Sequence, residues 1–246
     1  MHITVLGTRG EVAESAPFHS RHSGILIDET LLFDLGEREF LDERPDHIFI
    51  THLHPDHAFF VTGPASFDIP VSGPEAYDDA VTVTVIDGPA YLGPYTITPV
   101  PTHHSKLVKS AAYLVRKGGE SLLYTGDLIW INREYHTLFD PVDLVITDGS
   151  LIRKGGRIRR DPETGVLYGH NGIPDLVRLF APYTTRILFV HFGSWFYEDI
   201  EAAREKIAAL GEEYGVSVSA AHDGMELETA GPVFPLGQSS LSRFGG

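Results

Sequence analysis

The chain has 246 residues, with 19 Lys and Arg against 34 Asp and Glu, a formal net charge of −15 and no cysteine. The lack of cysteine excludes a disulfide framework, a thiolate zinc site, an iron–sulfur cluster and a cysteine nucleophile, so any metal must be held by nitrogen and oxygen. The acidic field repels phosphate backbones, which disfavours nucleic acid as a partner, and a chain this long buries about 70 % of its surface around one core.

The first residues, Met1 to Gly7, lack the basic and long apolar regions of a signal peptide. No stretch approaches the ~20 apolar residues of a membrane span, so a cytoplasmic protein with no membrane contact is expected. Short β-branched and aromatic runs predict strands at residues 2–6, 24–28, 30–34, 47–51, 81–86, 95–100, 111–116 and 121–125. Strands at 143–147 and 186–190 follow, with helices at 174–180 and 199–214. In the last helix Ile200, Ala203, Ile207 and Leu210 fall on one face, the pattern of a surface helix packed on a core. Strands early and helices late predict an α/β layered fold. No linker divides the chain, so residues 1–228 read as one domain and 229–246, rich in Gly, Pro and Ser, as a tail.

Four apolar runs stop at a polar group suited to holding metal. They are Ile48-Phe49-Ile50-Thr51-His52, Leu122-Leu123-Tyr124-Thr125-Gly126-Asp127, Leu144-Val145-Ile146-Thr147-Asp148 and Ile187-Leu188-Phe189-Val190-His191. Continuous apolar runs are the signature of fully buried strands, and functional groups in layered α/β proteins gather at strand ends. The strongest segment is Thr51-His52-Leu53-His54-Pro55-Asp56-His57. In extended backbone His52 and His54 point the same way, and Pro55 favours a turn that aims Asp56 and His57 at a second position. Three imidazoles and a carboxylate in six residues make poor core material unless each finds a partner.

His52, His54, Asp56 and His57 form an H-x-H-x-D-H motif, and with it the sequence resembles the metallo-β-lactamase superfamily. His104, Asp127 and His191 follow in the order of the same family. Gly169-His170, His191-Phe192 and Asp223-Gly224-Met225-Glu226 resemble its ribonuclease Z and cyclic-phosphodiesterase branch. The resemblance implies a metallo-β-lactamase-like αβ/βα four-layer sandwich with two divalent metal ions. His52, His54 and His104 would hold one ion, Asp56, His57 and His191 the other, and Asp127 would bridge them. His103 is the alternative to His104, and His222 the alternative to His191. A thiolate-free set suits Zn²⁺, with Mn²⁺ or Fe²⁺ open; di-iron members carry a glutamate where His54 stands, which favours zinc.

The resemblance further implies hydrolysis by a metal-bridging hydroxide that Asp56 positions, with His170 as general acid and Asp148 orienting it. Ribonuclease Z activity itself is not expected, because no long inserted arm separates the motifs. The expected substrate is a small anionic phosphodiester, cyclic or nucleotide-derived. The runner-up is an ester, lactone or thioester on the same site, and a metal-dependent binding protein is third. Arg153-Lys154-Gly155-Gly156-Arg157-Ile158-Arg159-Arg160 places five cations in eight positions, either as a phosphate acceptor or as a solvated hairpin tip. Trp195-Phe196-Tyr197 reads as a pocket cap or as an interface, which leaves a homodimer open.

Overall fold

The computed structural model describes residues 1–79, 81–139 and 141–231. Thr229, where the expected tail begins, is buried and receives a hydrogen bond from the Met1 amino group at 2.7 Å. The remainder of that segment, 232–246, lies outside the described residues.

Two sheets pack face to face. The first runs Met225–Glu228, His2–Gly7, Gly24–Ile27, Leu31–Phe33, His47–Phe49, Val71–Gly73, Thr82–Val85, Tyr77–Asp78 in spatial order. The second runs Trp130–Ile131, Tyr95–His103, Ala111–Lys117, Glu120–Tyr124, Leu144–Asp148, Arg186–Val190, Ser217–Ala220, with Ala90–Leu92 beside Tyr95–His103. Because successive strand residues face opposite sides, each apolar run feeds two clusters. Leu144, Ile146, Leu188 and Val190 meet Ile25, Ile27 and Phe33 between the sheets. Val145, Ile187 and Phe189 face outward against Ile173, Leu176 and Val177 of the helix Ile173–Phe180 and Ala203 and Ile207 of the helix Ile200–Glu212. Asp199 caps the latter by accepting from Ala202 N at 3.0 Å, which supplies a donor left over at a helix start with its partner.

The expected α/β sandwich is thus present, with an asymmetry the sequence did not foretell. Leu26, Leu32, Ile48 and Ile50 form the outer face of the first sheet. Among the described residues that face is covered by the 3-10 helices Arg38–Glu43 and Phe59–Val61, through Phe40 and Phe60, rather than by α-helices.

The strand Tyr95–His103 passes through Pro99 and Pro101, beyond the expected end at 100. It pairs with Ala111–Lys117 along one edge, while on the other Ala90–Leu92 stops at Ile97 and Trp130–Ile131 begins at Thr102. The prolines therefore fall where that second edge is open, the place where a missing N–H is tolerated. This extension carries the chain to His104.

Candidate metal centre

All four strand-end groups converge at one end of the two sheets. Residues 51–57 leave the strand His47–Phe49 and turn at Pro55, where His57 N and Ala58 N donate to His54 O at 3.0 and 2.8 Å. Gly126 sits at φ +56°, and a Cβ there would come within 2.5 Å of the Thr51 hydroxyl. Only glycine lets the turn into Asp127 pass so close.

His52 Nε2 lies 3.1 Å from His54 Nδ1, which lies 3.3 Å from His104 Nε2. Asp127 Oδ2 closes this group, 3.6 Å from His52 Nε2 and 3.4 Å from His104 Nε2. Ligand atoms around a tetrahedral ion with bonds of ~2.0–2.1 Å stand about 3.3 Å apart, so the four atoms are spaced to surround one. The other oxygen of the same carboxylate, Asp127 Oδ1, is 3.2 Å from both His57 Nε2 and His191 Nδ1. His191 Nε2 in turn is 2.9 Å from Asp56 Oδ2. Asp127 Oδ1 is buried and, despite those short distances, has no partner in hydrogen-bonding geometry. Between Asp127 Oδ1 and His57 Nε2, a short separation without such geometry is what two lone pairs aimed at a common point produce.

The outward nitrogens are tied down, and the partners fix the tautomers. His57 Nδ1 donates to Asp34 Oδ2 at 2.7 Å, His104 Nδ1 to Gly169 O at 3.0 Å and His52 Nδ1 to the Thr51 hydroxyl at 3.1 Å. Ser150 Oγ donates to Asp148 Oδ1 at 2.6 Å and receives His191 Nδ1 at 2.8 Å. These four imidazoles turn Nε2 inward while His54 turns Nδ1 inward, the arrangement by which outer partners orient metal-binding histidines.

Electrostatics divides the cluster. Burial holds His52 well below the usual histidine range, and burial lowers His104 to about 4, so both are neutral donors. Burial also opposes charge on His191, but Asp127, Asp148 and Asp56 outweigh it and raise the group to about 10. His57 is likewise raised against its burial by Asp127 and Asp34. Burial would raise Asp127, yet His191, His57 and His104 hold it well below the carboxylate range. The carboxylates create a demand for positive charge that a divalent ion meets.

A model of the beta-lactamase superfamily domain matches residues 33–192, which spans His52 to His191. The chain belongs to the beta-lactamase superfamily. Among solved structures it is similar to the metallo-beta-lactamase fold protein YhfI from Bacillus subtilis, at 19% identity and TM-score 0.67, covering 92% of this chain and 99% of that one. It is similar to the short form of human tRNase Z, at 18% identity and TM-score 0.61, over 93% of this chain and 99% of that one. A diphosphatase of the PhnP family is also similar, at 17% identity and TM-score 0.61, over 92% and 97% of the two chains. At these identities the likeness speaks for the fold. No curated protein matches the sequence.

Within this superfamily member, every residue expected at the site lies in the cluster. Asp56, His57 and His191 group together, as do His52, His54, His104 and Asp127, and as do Asp127, Asp148, His170 and His191. The alternatives lie elsewhere. His103 bonds Asn132 Oδ1 at 3.0 Å and packs on Trp130, while His222 Nδ1 bonds Asp223 O at 3.1 Å. Trp195-Phe196-Tyr197 is turned inward: Phe196 stacks on Phe192 at 3.9 Å, Trp195 Nε1 donates to Gly149 O, and the Tyr197 hydroxyl donates to His19 O. Sequence reasoning missed Asp34, Thr51, Ser150 and the Gly169 carbonyl. Asp34 had a signal, since it closes the apolar run Leu31-Leu32-Phe33 as the four ligand candidates close theirs.

Proposed function

We propose that the protein is a metal-dependent hydrolase that cleaves a small phosphodiester. The observation that carries this reading is Asp127, whose two oxygens face two separate sets of donors. In this reading His52, His54 and His104 hold one ion, Asp56, His57 and His191 a second, and Asp127 both. Two divalent ions, best suited as Zn²⁺ by an all nitrogen-and-oxygen set, would acidify water and neutralise charge on substrate oxygens.

The remaining work falls to the chain's own side chains. Asp56 stands with His57 and His191, and its carboxylate would orient the attacking water by accepting its hydrogen bond. His170 is held through Nδ1 by Asp148 Oδ2 at 2.7 Å, and its ring lies 4.8 Å from that of His104. Burial opposes protonation of His170, but Asp148 and Asp127 raise it above the usual histidine value. A charged imidazole with Nδ1 occupied delivers its proton from Nε2, here to the departing alkoxide. The side chain is 26% exposed.

A tRNase and a diphosphatase among the structural relatives support phosphorus–oxygen cleavage over acyl transfer. The test is turnover of bis-p-nitrophenyl phosphate against a simple lactone by zinc- or manganese-loaded protein. Phosphodiester turnover supports the reading; lactone turnover alone replaces it with an acyl-ester hydrolase on the same residues.

A further inference from the structure

Part of the basic run singled out in the sequence pairs with the strand that carries His170 into the metal site. Arg157–Arg160 and Leu167–His170 form an antiparallel hairpin in which Arg157 lies opposite His170 and Arg159 opposite Tyr168. Directly opposed residues have Cβ atoms ~5 Å apart, so Arg157 is the cross-strand neighbour of the imidazole that enters the site. The hairpin is fastened to the site by a reciprocal pair of hydrogen bonds: Gly169 N donates to His104 O at 2.7 Å, and His104 Nδ1 donates to Gly169 O at 3.0 Å. Lys106, two residues after His104, lies 5.1 Å over the Tyr168 ring and pairs with Asp161 at 2.7 Å. Asp161 also accepts from Thr164 N and Glu163 N, which stiffens the turn.

Positive charge is concentrated on one strand of this hairpin. Five of the chain's 19 cations fall between Arg153 and Arg160, in a protein of net charge −15. All four residues of the strand Arg157–Arg160 are exposed. The neighbouring carboxylate, Asp161, is engaged by Lys106, and among the described residues Arg157 and Arg159 make no ion pair. Adjacent like charges on a rigid edge repel, and an anion set between them relieves the repulsion. Arginine meets a phosphate through two parallel N–H donors.

We propose that Arg157 and Arg159 bind a second phosphate, one carried by the substrate beyond the bond that is cut. The preferred substrate class is then a small phosphodiester with a terminal phosphate, such as a 5′-phosphorylated dinucleotide. This inference rests on the hydrolytic reading of the same site and narrows it.

The test uses metal-loaded full-length protein and two hydrolysis-resistant probes, phosphorothioate-linked diadenosine with and without a 5′-phosphate, with affinities measured by calorimetry. The 5′-phosphate should tighten binding roughly tenfold or more, the scale of one or two charge-assisted hydrogen bonds. The double variant Arg157→Gln, Arg159→Gln should erase that preference, while the charge-matched Arg44→Gln, Lys206→Gln should keep it. A wild type without preference, or a preference that survives in the hairpin variant, overturns the inference. So does an affinity that keeps climbing with oligonucleotide length, which marks a nucleic-acid surface. Turnover of bis-p-nitrophenyl phosphate, which has no second phosphate, reports separately on the hydrolytic reading, so loss of either can be told from loss of the other.

Discussion

Asp34 accepts the Nδ1 proton of His57 at 2.7 Å, and both side chains are fully buried. The same carboxylate takes the Tyr124 hydroxyl at 2.7 Å and the Thr51 backbone N–H at 2.7 Å. One buried acid at the end of the strand Leu31–Phe33 thus joins the histidine-rich loop to the facing sheet. It also sets which nitrogen His57 offers to the site.

Asp34→Asn removes that charge while keeping the size of the side chain. Metal affinity should fall about 10–100-fold, the usual effect of losing such an orienting partner. Competition against a chromophoric chelator measures it, and an unchanged affinity would show that His57 needs no anchor.

Asp127→Ala should lose metal from both donor sets, because one carboxylate serves the two. Elemental analysis of the purified variant checks this, with His103→Ala as the control expected to keep full occupancy. Full metal content in Asp127→Ala would remove the bridging role.

His170→Ala should retain metal and lose ~10²–10⁴ in turnover of substrates with a poor leaving group. The loss should shrink when the leaving group is p-nitrophenolate, which departs without help from an acid. An equal loss on both substrates would make His170 a positioning residue instead.

Much of this site was legible because its side chains follow simple spacing. His52 and His54 are two apart on extended backbone, and His52, Asp127, Asp148 and His191 each close an apolar strand that alternates between two packed faces. What escaped notice acts through groups that sequence does not mark. The Ser150 hydroxyl and the Gly169 carbonyl orient His191 and His104, and neither residue type announces that role. Asp34 and His191 also take left-handed backbone, at φ 62° and 57°, a conformation rare outside glycine and tolerated where surroundings impose it. Three of the strands missed in the fold share a different cause. Ser217–Ala220 lacks bulky residues, Trp130–Ile131 has two residues, and Arg157–Arg160 buries none, so hydrophobic pattern had nothing to report.

Loss of stability in acid follows from His19, which packs on Phe192 and Phe196. Arg204 donates to its Nε2, its Nδ1 donates to the Thr8 hydroxyl, and Thr8 donates to Asp223. Burial, then Arg204 and His222, lower it from 6.5 to about 3. Between those values the unfolded chain takes up a proton that the folded chain refuses. The stability it confers is therefore complete above pH 6.5 and is lost as pH falls toward 3, with a slope of at most about 1.4 kcal/mol per pH unit. Chemical denaturation of wild type and His19→Gln across that range should give curves that converge as pH falls; parallel curves would contradict the assignment.

The most direct test of the central claim is metal content measured together with turnover, on protein purified without chelator and reconstituted with Zn²⁺ or Mn²⁺. Two equivalents of metal with hydrolysis of bis-p-nitrophenyl phosphate is the expected result. One equivalent or none, or two with no hydrolysis of any phosphodiester, would contradict a hydrolase built on Asp127 and the two donor sets it joins.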